Sequence, residues 1–190
     1  MIVTAQQGYL PPLASLASSD MARLRAAHDQ EFDAIWRYAR RLGLTPAEAD
    51  DATQHVFIVL AAKLSRVEPG RERPFLYSSI LRAASDVRRS AARRYETATL
   101  DETHPDSSPQ PDELLEQRRQ RDLLDNLLDA MPFELRAVFV LFEVEEFTMK
   151  EIATIFELPL GTVASRLRRA REDFEARSLV FRQTTPGSGP

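Results

Sequence analysis

The sequence predicts an all-α protein, two small helical domains joined by a flexible acidic linker, with the second domain ending in a helix-turn-helix. Three observations carry this. Apolar residues recur at spacings of three and four through most of the chain instead of alternating, which is the period of a helix. Two segments, Thr45-Pro46-Ala47-Glu48 and Thr148-Met149-Lys150-Glu151, have the capping-box form that opens a helix. Between them residues 96–113, ETATLDETHPDSSPQPDE, are polar, with three prolines and no basic residue, a composition that suits an extended tether and cannot build a core.

Length and composition allow one or two domains with real cores: 190 residues, 43% of them hydrophobic. The absence of cysteine excludes disulfides and thiolate metal sites and suits a reducing, cytoplasmic compartment. A net charge of -4 and a pI near 5.5 argue against a protein that grips naked DNA by charge alone. Two mildly basic ends flank an acidic middle. Residues 1–20 lack the basic start and long apolar core of a signal peptide and read as a disordered tail, with Met21 a second candidate start. No stretch approaches the length of a membrane span.

In the first domain, residues 21–95, Leu24, Phe32, Ile35, Trp36 and Ala39 mark a helix over 21–42 that Gly43 closes. The Thr45 box, with Pro46 at the first helical position, opens a second helix to about Lys63. Ala49, Ala52, Val56, Val59 and Leu60 form its apolar side, and Asp50, Asp51 and Gln54 its polar side. Carboxylates near a helix N-terminus are most simply partners of its dipole. After the charged loop 66–73, Pro74 is expected to open a third helix with Leu76, Ile80, Ala83 or Ala84, Val87 and Ala91 inward and Arg82, Arg89 and Arg93 outward. A basic stripe backed by core suits single-stranded DNA. It also suits a merely solvated face.

The second domain, residues 114–180, begins with Leu114, Leu124, Leu127, Leu128 and Met131. A helix restarted at Met131-Pro132 follows, carrying Leu135, Val138, Phe139 and Phe142 as core. The Thr148 box then opens a short helix with Ile152, Ala153 and Phe156; Glu157-Leu158-Pro159 interrupts it, and a last helix follows. On that helix Val163, Leu167, Ala170 and Phe174 fall on one line, with Ser165, Arg168, Arg169 and Glu172 opposite and Arg166 and Arg171 on the flanks. A guanidinium fits a phosphate or the O6/N7 edge of guanine, and a recognition helix presents its first turns to the major groove. Thr162, Ser165, Arg166 and Arg169 are therefore the best DNA contacts by position. The competing reading is a solvated face with i,i+4 pairs such as Arg168 with Glu172. Residues 181–190, ending TTPGSGP, read as a second disordered tail.

The run EIATIFELPLGTVASRLRRAR resembles region four of the bacterial sigma factors of the extracytoplasmic-function (ECF) type, departing at Glu157, where the family often has glycine. DDATQHVF resembles the D-x-x-Q-x-x-F segment of sigma region two, and PFLYSSILRAASDVRRSAARR resembles regions 2.3 and 2.4. The resemblance covers about residues 25–178 and implies a subunit that directs core RNA polymerase to promoters and helps melt them. It implies contacts with the β′ clamp through Asp51 and Gln54, with Phe57 as packing and His55 in place of a common glutamate. It implies minus-ten contacts at Arg82, Arg89 and Arg93. There Phe75 replaces a frequent tryptophan and Arg82 a frequent asparagine, and the helix with its preceding loop would hold a flipped base. It implies minus-35 contacts at Lys150, Thr162, Ser165, Arg166, Arg168, Arg169 and Arg171. Implied partners are core polymerase (β′ clamp and β flap), promoter DNA and an anti-sigma factor; no metal or organic cofactor is implied. In the family the linker runs through polymerase channels, and here it could equally be a solvated tether.

Two other functions compete. An enzyme is disfavoured: His28, His55 and His104 are scattered without HExxH spacing, and no phosphate-cradling GxxxxGK[ST] occurs. A stand-alone helix-turn-helix regulator with a sensing or dimerising first domain is the alternative that keeps the DNA-binding half.

Overall fold

The computed structural model describes residues 17–95 and 123–184, all helix, turn or loop with no strand among them. The expected linker over 96–113, Leu114 and most of both expected tails lie outside the described residues. Contacts divide the chain into two compact units, one running to Ala84 without 41–43, the other from Ser85 and including 41–43. None of the described helices is long and apolar enough to cross a membrane.

The first unit is built on α1 (Ser18–Arg41) as far as Arg40, α2 (Pro46–Lys63) and α3 (Glu72–Tyr95) as far as Ala84. α1 starts three residues before the expected position, with Asp20 in its first turn, where a carboxylate suits the helix dipole. Gly43 turns the chain at φ +94°, a conformation that only glycine adopts cheaply. The capping box at Thr45 is complete: the Glu48 N–H donates to Thr45 Oγ1 at 3.3 Å, and the Thr45 N–H donates to Glu48 Oε2 at 2.9 Å. Ile35, Tyr38, Leu60, Leu76, Tyr77 and Ile80 are fully buried, with the Tyr38 and Tyr77 rings 5.2 Å apart. Val59, expected on this core, is only half-buried.

α3 begins at Glu72, not at Pro74. Its first N–H groups have no partner inside the helix, so a proline in the first turn removes nothing the helix uses. Glu72 supplies the missing start signal. Partial burial of its carboxyl disfavours the charge, yet hydrogen bonds from its own backbone N–H and from Arg23, the Arg23 charge and the Gly70 N–H outweigh this and hold its pKa below the usual 4.5.

The second unit contains α4 (123–129), α5 (Phe133–Glu143), α6 (Met149–Phe156) and α7 (Leu160–Thr184). Pro132 caps α5 from outside it. Leu128, Met131, Val138, Phe139 and Leu141 are buried, Leu124, Leu127, Leu135 and Phe142 half-buried. Arg136 of α5 is buried too, its Nη1 donating to Asp129 at 2.5 Å. Burial lowers its pKa, and the Asp129 carboxylate offsets part of that. α7 continues to Thr184, past the expected end of the domain at 180; before that end Arg177 donates twice to Asp173, at 2.6 and 3.1 Å, an i,i+4 clamp.

Between α6 and α7, Glu157 takes left-handed backbone angles, φ +56° and ψ +41°, and closes α6 as a glycine would. A side chain there costs about 1 kcal/mol. Glu157→Gly should therefore raise stability by about 1 kcal/mol, seen as a higher denaturation midpoint; an unchanged or lower midpoint would mean the Glu157 side chain contributes as much as the strain. The depressed Glu72 pKa gives a second expectation. Its contribution is complete above the unfolded value of 4.5 and is lost as pH falls through the lower folded value. Glu72→Gln should lack that step, so mutant and wild-type stabilities measured from pH 7 downward should converge below pH 4.5.

Candidate nucleic-acid interface

The second unit offers a helix-turn-helix whose pieces are each fixed locally. Thr148 caps α6 in a complete box: the Glu151 N–H donates to Thr148 Oγ1 at 3.3 Å, and the Thr148 N–H donates to Glu151 Oε2 at 2.9 Å. Ile152 and Ile155 anchor α6 in the core. α7 packs against α5 and α6 through Val163, Leu167 and Ala170, all buried, and through Phe174, whose ring stacks on Phe139 with centroids 4.7 Å apart. Three of the four expected seam residues are thus buried and the fourth is half-covered.

The polar face is exposed but largely paired within the chain. Arg168 is 67% exposed and Nη1 donates to Glu172 at 2.6 Å, the i,i+4 pair that the solvated-face reading anticipates. Arg171 Nε donates to Glu143 of α5 at 2.6 Å, with its guanidinium 5.1 Å from the Phe142 ring centre. Arg166 is the most covered at 23% exposed: Nη1 donates to Glu134 of α5 at 3.0 Å and the guanidinium lies 5.9 Å from the Phe156 ring centre. Arg169 makes only a 3.4 Å bond to the Ser165 carbonyl among the described residues. Ser165 spends its proton on the Thr162 carbonyl at 2.9 Å, so its hydroxyl keeps only acceptor capacity. Lys150 is exposed in the first turn of α6. The α5 carboxylates of Glu134 and Glu143 were not legible in the sequence. They lie 32 and 28 residues from their arginines and meet them only because α5 and α7 pack together.

On α3, Arg82, Arg89 and Arg93 are exposed, as expected, and Arg89 pairs with Asp86 one turn before it. Leu76, Ile80 and Ala84 are buried behind them, and Tyr77 and Leu81, not anticipated, join them; Ala83, Val87 and Ala91 are half-buried. On α2 the two neighbouring aspartates differ. All three polar residues of this face, Asp50, Asp51 and Gln54, are exposed, and Asp50 among them accepts a 2.6 Å bond from Trp36 Nε1 of α1. Phe57 packs as expected, buried, 5.7 Å from the Phe32 ring and 5.2 Å from His28.

A capped α6, a tight turn and an α7 that buries one seam and exposes arginines define a DNA-binding helix-turn-helix protein of the all-α class. The sequence comparisons place it further. The family described as "Sigma-70 region 2" matches residues 27–94 and "Sigma-70, region 4" matches residues 121–174. The ECF RNA polymerase sigma factor SigL of Mycobacterium tuberculosis is 30% identical over 157 residues, 81% of this chain and 88% of SigL. SigE of Mycolicibacterium smegmatis is 32% identical over 145 residues, 75% of this chain but only 56% of SigE. Two solved structures share the fold: CnrH in complex with the cytosolic domain of CnrY (TM-score 0.65, 20% identity, 91% of this chain and 96% of that one), and RpoE in complex with the anti-sigma factor NepR from Bartonella quintana (TM-score 0.65, 19% identity, 86% and 99%). The chain belongs to the ECF RNA polymerase sigma factors.

The Asp50–Trp36 bond predicts a separable pair of effects. Asp50→Ala should cost about 1 kcal/mol and shift the emission of the single tryptophan, whereas Asp51→Ala should stay within about 0.5 kcal/mol. Equal losses in a denaturant titration followed by fluorescence would show that Asp50 is no anchor.

Proposed function

We propose that the chain is an initiation subunit: it binds core RNA polymerase, directs it to particular promoters and assists their melting, making and breaking no covalent bond itself. It acts in the cytoplasm with the polymerase, and a protein that sequesters it, of the kind named with the Bartonella quintana relative, is a further partner. The observation that carries the proposal is the order of the two sigma regions on one chain, each supplied with an exposed arginine row backed by a packed core.

Roles follow from exposure and position. Asp51 and Gln54 form the polymerase contact on α2, beside an Asp50 already committed to Trp36. Arg82, Arg89 and Arg93 follow the melted strand along α3, where guanidinium groups serve both phosphates and exposed base faces. Lys150, Thr162, Ser165, Arg166, Arg168, Arg169 and Arg171 meet the upstream duplex. Arg169 reaches it directly, while Arg166, Arg168 and Arg171 must first exchange Glu134, Glu172 and Glu143 for phosphate or base. Exposed pairs are worth about 0–1 kcal/mol each, so the exchange is inexpensive.

Two experiments test this. Asp51→Arg with Gln54→Ala should weaken core binding at least about tenfold in a calorimetric titration without changing helicity; unaltered affinity removes these residues from the interface. Permanganate footprinting of melted thymines on ordinary and premelted promoters should separate the two arginine groups. Alanines at Arg166 and Arg169 should be rescued by an artificial bubble only in the opening step and still bind weakly upstream. Alanines at Arg89 and Arg93 should bind upstream normally and hold the bubble poorly. Identical failure of both on the premelted template would contradict the division of labour.

A further inference from the structure

The loop that leads into α3 is held from α1. Arg23 Nε and Nη2 donate to Glu72 Oε1 at 2.8 and 2.5 Å, and Nη2 also donates to the Val67 carbonyl at 2.8 Å. One guanidinium thus grips the entry of the loop through a carbonyl and its exit through a carboxylate. Asp20, 3.4 Å from Nη1, steadies the guanidinium from the preceding turn. A second tie runs beside it, Arg73 Nε to Glu31 of α1 at 3.4 Å. Between the two gripped points the loop is held through its backbone, where the Gly70 N–H donates to the Glu72 carboxylate. Glu68, Pro69, Gly70 and Arg71 are exposed, Gly70 stands at φ +84° with open space around it, and the Arg71 N–H donates to the Glu68 carbonyl at 2.9 Å. A guanidinium can serve two acceptors in fixed directions at once, which a lysine ammonium on a flexible stem cannot.

We infer that Arg23 is a positioning residue: it sets the shape of the loop 67–71, and through that shape it sets how sharply the chain discriminates the unpaired promoter base held by this loop and α3. The inference rests on the promoter-opening role proposed above and on the flipped base that the resemblance assigns to α3 and the loop before it. A purely stabilising role predicts something different. A part-buried ion pair can be replaced by apolar side chains with little loss of stability, but apolar side chains cannot hold the Val67 carbonyl.

The test uses the full chain with core polymerase on a promoter that the wild-type holoenzyme selects from a randomised library, prepared as premelted templates differing in one unpaired non-template base at a time. Wild type, Arg23→Met and the double variant Arg23→Met/Glu72→Leu are compared for Tm and for the ratio of open complexes on the best and worst base. Arg23→Met should reduce that ratio about tenfold, the scale of one base-specific contact. The double variant should recover Tm and keep the reduced ratio. A wild-type ratio in both variants overturns the inference, and so does recovery of Tm and ratio together; if Arg23→Met does not fold, the double variant decides alone. A wild-type holoenzyme that opens none of the templates overturns the promoter-opening reading and the inference with it.

Discussion

Burial of Val163, Leu167 and Ala170 fixes the rotation of α7, and what the second unit can offer to DNA follows from that rotation. Removing a valine or leucine side chain from water contributes about 1.5–3 kcal/mol each, whereas an exposed arginine pair contributes about 1 kcal/mol at most. The seam therefore decides the orientation and the arginines accept what remains. At 3.6 residues per turn this leaves Arg168 and Arg169 facing outward and sets Arg166 and Arg171 on the flanks, within reach of α5. The Thr148 box and the left-handed Glu157 then fix where α6 ends and how α7 departs from it.

The flanking position has an electrostatic consequence. Glu134, Glu143 and Glu172 already occupy three of the four arginines, so the face is far less positive than its sequence suggests. Each phosphate neutralised contributes about 0.9 to the slope of log affinity on log salt, and a face so partnered, on a chain of net charge -4, neutralises few. Affinity for a promoter then has to come from making two modest contacts together. Docking both sigma regions on one polymerase turns the second contact into an event at high effective concentration.

What could be read from the sequence was local. Both capping boxes are three-residue relations, and the α7 seam is a relation of three and four residues, so Thr45, Thr148, Val163 and Leu167 announced themselves. The misreadings have a common cause. Asp50 reads as a dipole partner until α1 brings Trp36 to it across 14 residues. Pro74 is the strong local signal for the start of α3, while Glu72, where the helix begins, matters through Arg23, 49 residues away. Glu134 and Glu143 were invisible for the same reason. Packing between helices decides these contacts, and no periodicity within one helix encodes them.

The central claim is that this chain binds promoter DNA tightly only when polymerase holds its two regions together. Fluorescence anisotropy with a labelled promoter duplex near 0.15 M salt, where free charges are screened within about 8 Å, tests it with three samples: the chain alone, core polymerase alone and the two mixed. The account predicts tight, sequence-specific binding in the mixture and only weak, non-specific binding by the chain alone. Submicromolar, sequence-specific binding by the isolated chain would contradict it and would mark the protein as a self-sufficient regulator.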